Sequence, residues 1–163
     1  MKLEDYGLIG DTHSAGLVSR EGSIDWLCLP RFDSESCFAS ILDSETGGFW
    51  RIGPDDGGAC TTRRYVPETM ILETTFERPG GTVQLIDFLA LEDVSHGRAP
   101  RAVQPREIVV RLGRGVSGTV DMQMHYQPRF CYGEVAPWFR RQGGRVRAVG
   151  GPHSLDLTST VDL

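Results

Sequence analysis

The chain has 163 residues, a length typical of one domain, and its 17 basic and 22 acidic residues give a net charge of −5. No basic stripe with interleaved aromatic residues occurs, which argues against a nucleic-acid partner, and no apolar stretch approaches the ~20 residues that a membrane helix needs. The 20 glycines and 9 prolines exceed ordinary usage without low complexity, so we predict many turns and many short strands.

The N-terminal part of the chain indicates short strands, at residues 8–9, 15–19 and 23–29. The third of these alternates apolar and polar residues, which is typical of a strand with one buried face. The alternation predicts that Ile24, Trp26 and Cys28 share one face of that strand. Pro30 ends the strand, and a stiff Pro-Arg-Phe-Asp corner follows.

One short helix is predicted over residues 34–43, where apolar side chains recur at helical spacing. Asp33 or Ser34 is placed to cap its N-terminus, and two glycines follow its end. Such a short helix needs a sheet to pack on.

Strands are also expected at residues 49–52 and 61–66, and a hairpin follows them. Its strands are Met70–Glu77 and Thr82–Leu89, joined by Arg78-Pro-Gly-Gly81. A tight turn pairs Phe76 with Val83 and Leu72 with Asp87. One face then carries Asp87 together with apolar or small residues, namely Met70, Leu72, Thr74, Phe76, Val83, Leu85 and Leu89.

Asp87 therefore lies on an apolar face, where a carboxylate needs an arginine or backbone N–H groups as partners. We predict that it is a structural, hydrogen-bonded core residue and not a catalytic one. Further strands are expected at residues 107–112, 119–126, 145–149 and 154–160. Together these elements predict a mainly β fold, an antiparallel β-sandwich with one short helix near residues 34–43, in a single domain over residues 1–163.

The run from Gly22 to Ser34 places an aromatic ring, a guanidinium and carboxylates close together, which are groups that sugar-binding surfaces use. Trp26 is either a core residue or a stacking platform for a sugar ring. Arg31 is either half of a surface ion pair or a clamp on a carboxylate or a pair of hydroxyls. Acid–base catalysis needs two positioned carboxylates, and the candidate pairs are Asp55-Asp56, Glu92-Asp93 and Asp25 with Asp33. The first two pairs lie in loops flanked by Gly or Pro and are interpreted as solvated surface groups, whereas Asp25 and Asp33 flank the run from Gly22 to Ser34.

His13 and Trp138 are two further candidate functional residues. His13 follows Asp11 in a Gly-Asp-Thr-His-Ser loop, and it is either a surface or hydrogen-bonding residue or, by its loop position beside an acid, a functional histidine. Trp138 stands next to Phe139 and two arginines, as a packed loop or an interface anchor. The cysteines form no C-x-x-C pair and have no histidine at ligand spacing, so we expect free thiols, no metal and no cofactor.

The chain resembles the N-terminal domain of bacterial glycoside hydrolase family 15, the glucoamylase-like and trehalase-like proteins. The resemblance spans nearly the whole chain, and its motifs occur in order: Glu4–Asp11, Ala15–Val18, Gly22–Ser34, Phe38–Asp43, Arg64-Tyr65, Leu72–Thr74, Leu85–Phe88, Pro128–Phe130 and Tyr132-Gly133. Two positions depart from it. His13-Ser14 stands where relatives more often have a basic residue and Thr, and Cys131 where Asp is common.

The resemblance implies a large supersandwich-like β-domain that precedes an (α/α)6 barrel. In that family the barrel hydrolyses α-glucosidic bonds with inversion, using two glutamates to which nothing in this chain corresponds. The family sandwich needs more strands than 163 residues provide. We therefore expect an incomplete sandwich, a chain without activity of its own, and a fragment that is either an engineered domain or a shortened gene product.

Three hypotheses follow. In the first, a cytoplasmic non-catalytic domain braces the barrel and contacts it, or an α-glucoside or trehalose at their shared rim, through Trp26, Arg31, Phe32, Asp33, His13 and Trp138. In the second, the chain is a free-standing carbohydrate-binding module with Trp26 and Trp138 as platforms. In the third, it has a structural role and self-associates through unpaired sheet edges. No hypothesis includes a nucleic-acid or membrane partner.

Overall fold

The computed structural model describes residues 2–95 and 102–162. Within them the regular structure comprises thirteen strands and two 3-10 turns, at Leu3–Asp5 and Cys131–Gly133. The strands in chain order are β1 (Gly7–Gly10), β2 (Ala15–Val18), β3 (Ser23–Cys28), β4 (Ser36–Phe38), β5 (Phe49–Pro54), β6 (Thr62–Tyr65), β7 (Leu72–Arg78), β8 (Gly81–Asp93), β9 (Val103–Gly118), β10 (Met122–Gln127), β11 (Trp138–Gln142), β12 (Arg145–Gly150) and β13 (His153–Thr158). The named strands pair antiparallel throughout, which confirms the predicted class.

The strands form three sheets. The first sheet has the order β1-β2-β3-β5-β10 with β4 paired to β3, the second the order β6-β7-β8-β9, and the third the order β11-β12-β13. The first two sheets pack face to face, because buried side chains of both share one cluster, including Ile9, Val18, Ile24, Leu27, Phe38, Leu72 and Leu89. Burying each such side chain contributes roughly 1.5–3 kcal/mol. The predicted sandwich is therefore confirmed.

The hairpin of β7 and β8 has the predicted register. Phe76 lies opposite Val83 and Leu72 opposite Asp87, and Arg78 pairs with Gly81 across the turn. The face that carries Leu72, Phe76 and Asp87 is buried. Met70 departs from the prediction, since it precedes β7 and is 41% exposed.

The predicted helix over residues 34–43 is wrong. Strand β4 occupies the first part of this segment and pairs with β3, and only one turn follows, closed by bonds from the N–H groups of Leu42 and Asp43 to the carbonyl of Ala39. The three residues from Cys37 to Ala39 are consecutively buried, whereas Leu42 is 66% exposed. A short apolar run of this kind fits a buried strand as well as a helix, and its length could not decide between them.

The predicted face of β3 is also wrong. Val18 pairs with Ile24 and Leu17 with Trp26, so one extra residue, Asp25, bulges out of β3. The bulge reverses the alternation and brings Ile24 and Leu27 to the core face. Trp26 therefore lies on the face opposite Ile24 and is only partly buried.

Candidate functional site

Three connecting segments meet beside β3 and β4, and we call them the loop surface: residues 11–14, 29–36 and 130–134. The N–H of Phe32 donates to the carbonyl of His13 at 2.8 Å. The N–H of Tyr132 donates to Oγ of Ser36 at 2.9 Å. Backbone and hydroxyl groups thus hold the three segments together, although they are distant in sequence.

His13 is presented at the loop surface by a turn around Asp11. The buried Asp11 carboxylate accepts hydrogen bonds from the N–H groups of His13 and Ser14, at 2.9 and 2.7 Å. The Ser14 hydroxyl donates to the carbonyl of Cys28 at the end of β3. His13 itself is exposed. Asp11 therefore orders the backbone of the turn, while the imidazole of His13 stays in solvent.

The Pro-Arg-Phe-Asp corner forms an exposed polar and aromatic projection. The Arg31 Nε donates to Oδ1 of Asp33 at 2.9 Å, and the two side chains are 65% and 75% exposed. This hydrogen bond holds the pKa of Asp33 below its usual range. Phe32 between them is 59% exposed. Exposed ion pairs contribute little to folding, so these groups remain available to a ligand or a partner domain.

Trp26 forms an aromatic patch with Tyr132. Their ring centroids are 6.0 Å apart and the ring planes are tilted by 34°. Tyr132 is 49% exposed and sits in the left-handed backbone region, with a φ of 60°. The patch presents ring surface to solvent next to the corner, as a sugar-stacking platform requires.

A second polar group at the loop surface joins three distant segments. The Cys131 thiol donates to Oε2 of Glu35 at 3.2 Å, and Nε2 of His153 lies 2.8 Å from the same oxygen. The same Nε2 lies 3.6 Å from Sγ of Cys131. Sequence reasoning missed this cluster because the cysteine is 96 positions from Glu35 and 22 from His153. No local spacing signals it.

Trp138 is separate from these groups in the topology. It begins β11 of the third sheet, opposite Val149, and is 59% exposed. A shallow concavity there is lined by this ring and by Arg140 and Arg147. The two tryptophans that the sequence proposes as platforms thus belong to different sheets.

Asp87 lies in the middle of the sandwich, on β8, and not at the loop surface. Its side chain is fully buried and accepts from Nε of Arg111 at 2.8 Å. Arg111 also donates to the carbonyl of Trp50 on β5 and, at 2.7 Å, to that of Gly22, which immediately precedes β3. The guanidinium stacks 5.1 Å from the Trp50 ring. One buried cation therefore ties the second sheet to the first; the structural role of Asp87 stays a prediction.

The carboxylate pairs proposed from the sequence have separate partners. Asp25 accepts from the hydroxyls of Tyr6 and Ser23, at 2.9 and 2.5 Å, whereas Asp33 pairs with Arg31. Asp56 pairs with Arg78 at 2.6 Å, which holds the pKa of Asp56 below its usual value. Glu92 pairs with Arg106 at 2.9 Å. Within residues 2–95 and 102–162, these contacts do not join two candidate carboxylates into a catalytic pair.

The four cysteines are free thiols, as expected, and Cys28, Cys37 and Cys60 are buried. Burial raises the pKa of the Cys37 thiol to about 12. In the part of the chain that the structure describes, no helix has the length and apolar character needed to span a membrane.

Comparison with known proteins identifies the chain's relatives. A family model described as "Trehalase-like, N-terminal" matches residues 1–161. The trehalase of Mycolicibacterium smegmatis is 37% identical over 149 residues, 86% of this chain and 22% of that protein. The trehalase of Mycobacterium tuberculosis is 37% identical over 83% of this chain and 21% of its own length.

A third relative, the trehalase of Thermoplasma volcanium, is 33% identical over 164 residues, 99% of this chain and 25% of that protein. The chain thus spans about a fifth to a quarter of these relatives' length. No solved structure matches the chain.

Proposed function

Because the chain belongs to the trehalase-like N-terminal family, we propose that it is the non-catalytic N-terminal domain of a trehalase- or glucoamylase-type glycosidase. The observation that carries the proposal is the family match over residues 1–161, with relatives named trehalase whose remaining length lies outside the match. Hydrolysis of the α-glucosidic bond belongs, in this proposal, to a catalytic domain in that remaining length. The four free thiols suit a reducing compartment, so the proposal places the protein in the cytoplasm.

The loop surface supplies the second part of the proposal. Its exposed groups are an arginine–aspartate pair, Phe32, and the Trp26–Tyr132 patch. Planar guanidinium and carboxylate groups bind pairs of sugar hydroxyls, and aromatic rings pack on the apolar faces of sugars. We therefore assign this surface to contact with the catalytic domain and with the sugar at the shared rim. His13 lies beside the corner and belongs to the same surface.

The test uses the full-length protein and two matched arginine variants. Arg31→Ala removes an exposed pair at the loop surface, and Arg106→Ala removes a similarly exposed pair, with Glu92, in the second sheet. We expect kcat/KM on trehalose or maltooligosaccharides to fall about tenfold or more in Arg31→Ala, corresponding to about 1.4 kcal/mol of transition-state binding. Arg106→Ala should retain the parent value. Equal kcat/KM in both variants and the parent would remove the rim role.

A carbohydrate-binding module is the second candidate function, favoured by one observation, the exposed Trp138 ring beside Arg140 and Arg147. Calorimetry with trehalose and glucan oligomers at millimolar concentration tests it in the protein and in Trp138→Ala. Binding that disappears in Trp138→Ala supports the module. Absence of binding in the parent rules it out.

Self-association is supported by the exposed edge of the second sheet. Strand β9 is the outermost strand of that sheet and exposes Ile108, Leu112 and Val116. A long edge strand that exposes apolar side chains can pair with another strand through its free backbone groups. Light scattering of the 163-residue chain should therefore give a dimer or larger species, and a monomer at high concentration would contradict this.

A further inference from the structure

We propose that Glu35, Cys131 and His153 form a zinc site that joins the third sheet to the first. The three donor atoms, a carboxylate oxygen, a thiol sulfur and an imidazole nitrogen, all lie within 4.8 Å of one another. Each comes from a different segment. Glu35 immediately precedes β4, Cys131 begins the 3-10 turn after β10, and His153 begins β13.

The donor set suits zinc. Zinc in proteins takes thiolate, imidazole and carboxylate ligands at about 2.0–2.3 Å in tetrahedral geometry, which places pairs of donors about 3.4–3.6 Å apart. The Sγ–Nε2 distance is 3.6 Å, the Sγ–Oε2 distance 3.2 Å and the Nε2–Oε2 distance 2.8 Å. Outward movements of a few tenths of an ångström in the exposed Glu35 side chain bring all three onto one ion. A harder cation such as magnesium prefers oxygen ligands and fits this set poorly.

The geometry also distinguishes a metal site from a cysteine–histidine–carboxylate nucleophile. In a catalytic triad the imidazole uses its two nitrogens separately, one toward the nucleophile and one toward the acid. Here the single atom Nε2 of His153 faces both Sγ of Cys131 and Oε2 of Glu35. Three donors that converge on one point describe a coordination site.

The surrounding structure fixes two of the three ligands. The His153 ring packs against the buried Phe130 ring with centroids 5.5 Å apart. Cys131 has a φ of 54°, a left-handed conformation that carries strain for a non-glycine residue. The bond from the Tyr132 N–H to Ser36 Oγ and the bond from the Glu134 N–H to the Cys131 carbonyl hold this turn in place.

The expected consequence of zinc binding is structural. The third sheet meets the sandwich through a few side chains, among them Leu155 at the core and Phe139 against Tyr126. An ion held by His153 of that sheet and Glu35 beside β4 adds a direct link between the two bodies. Two of the ligands are only partly buried and Glu35 is exposed, which leaves the fourth position of the ion to water or to a partner group.

The experiment measures metal binding, and it is independent of the proposed enzymatic role because no activity is read out. The full-length, tag-free protein is stripped with a chelator and titrated with zinc in competition with a chromophoric chelator. We expect one zinc ion per chain and an increase in melting temperature with zinc concentration. Cobalt substitution should give a thiolate-to-cobalt charge-transfer band.

Matched variants separate the site from adventitious binding. Cys131→Ser and His153→Ala should weaken zinc binding at least a hundredfold and abolish the charge-transfer band, and Glu35→Gln should weaken it less. His125→Ala and Asp33→Asn remove an exposed histidine elsewhere on the surface and a neighbouring exposed carboxylate, and both should bind like the parent. Zinc binding that is absent in the parent, or unchanged in Cys131→Ser and His153→Ala, overturns the proposal.

Discussion

Two arginine–aspartate pairs with nearly the same Nε–Oδ1 distance lie in opposite environments of this molecule. Arg111 and Asp87 are joined at 2.8 Å with side chains 1% and 0% exposed, whereas Arg31 and Asp33 are joined at 2.9 Å with side chains 65% and 75% exposed. The distance is therefore not what distinguishes them. Burial decides whether such a pair supports the fold or stays available for recognition.

The buried pair has the larger desolvation cost of the two. Taking both charges out of water costs several kcal/mol per ion, and the structure offsets this with further partners for the guanidinium. These are the carbonyls of Trp50 and Gly22 and the face of the Trp50 ring. The exposed pair keeps its hydration, so losing it changes little in the folded state.

The largest expected effect follows from breaking the buried pair. Asp87→Asn leaves the Arg111 charge uncompensated in the core and should lower the free energy of unfolding by about 3–5 kcal/mol. Urea denaturation measures it, with Asp33→Asn as the matched control, which should leave the midpoint at the parent value. A loss below about 1 kcal/mol in Asp87→Asn would contradict the structural role of this carboxylate.

The next effect is expected at Gly22, whose carbonyl accepts a hydrogen bond from Arg111. Gly22 has a φ of 75°, and a Cβ there would lie 2.2 Å from the carbonyl oxygen of Ile52. Gly57 has a φ of 72° and nothing within 4 Å of the same position. We expect Gly57→Ala to cost about 1–2 kcal/mol from the left-handed backbone alone, and Gly22→Ala at least about 3 kcal/mol. Equal unfolding free energies for the two variants would show that the close approach at Gly22 is not restrictive.

A gradual pH-dependent effect, smaller over any single pH unit, is expected from the buried thiol of Cys37. Burial raises its pKa to about 12, against about 8.5 for a thiol in the unfolded chain. The folded state thus keeps a proton that the unfolded state releases, so this stability is complete below about pH 8.5 and declines as pH rises toward 12. The decline should reach at most about 1.4 kcal/mol per pH unit from this one group. Unfolding measured between pH 8 and 11 should show a weaker dependence in Cys37→Ala than in the parent, and parallel curves would contradict the assignment.

The reactivity of the four thiols also compares buried with exposed groups, and measuring it perturbs the fold least. Cys28, Cys37 and Cys60 are buried, whereas Cys131 at the loop surface is partly exposed. In the presence of a chelator, a thiol reagent should react quickly with one equivalent and slowly with the other three. Cys131→Ser should lose the fast phase, and four equal rates would indicate that the sandwich opens as a whole.

The sequence predicted the hairpin of β7 and β8 down to its register, because alternation and a Pro-Gly turn leave few other pairings. It placed Asp87 on the core face and predicted that its partners would be an arginine or backbone N–H groups. It could not identify Arg111, whose position opposite Asp87 depends on how β9 pairs with β8.

Other features depend on contacts that no local pattern encodes. The face of Trp26 was mispredicted because the bulge at Asp25 changes the alternation without any glycine or proline to mark it. The segment from Ser34 to Asp43 forms a strand and a turn because pairing with β3 outweighs a weak helical pattern. The cluster of Glu35, Cys131 and His153 arises only once three separate segments meet.

We expect the buried pair to serve stability and the exposed corner to serve function. One measurement tests it most directly, in which kcat/KM and the urea midpoint of the full-length protein are determined together for Asp87→Asn and Arg31→Ala. We predict a lowered midpoint with near-parental kcat/KM for Asp87→Asn under folding conditions, and a parental midpoint with kcat/KM reduced about tenfold for Arg31→Ala. A lowered midpoint in Arg31→Ala with unchanged kcat/KM would contradict the account.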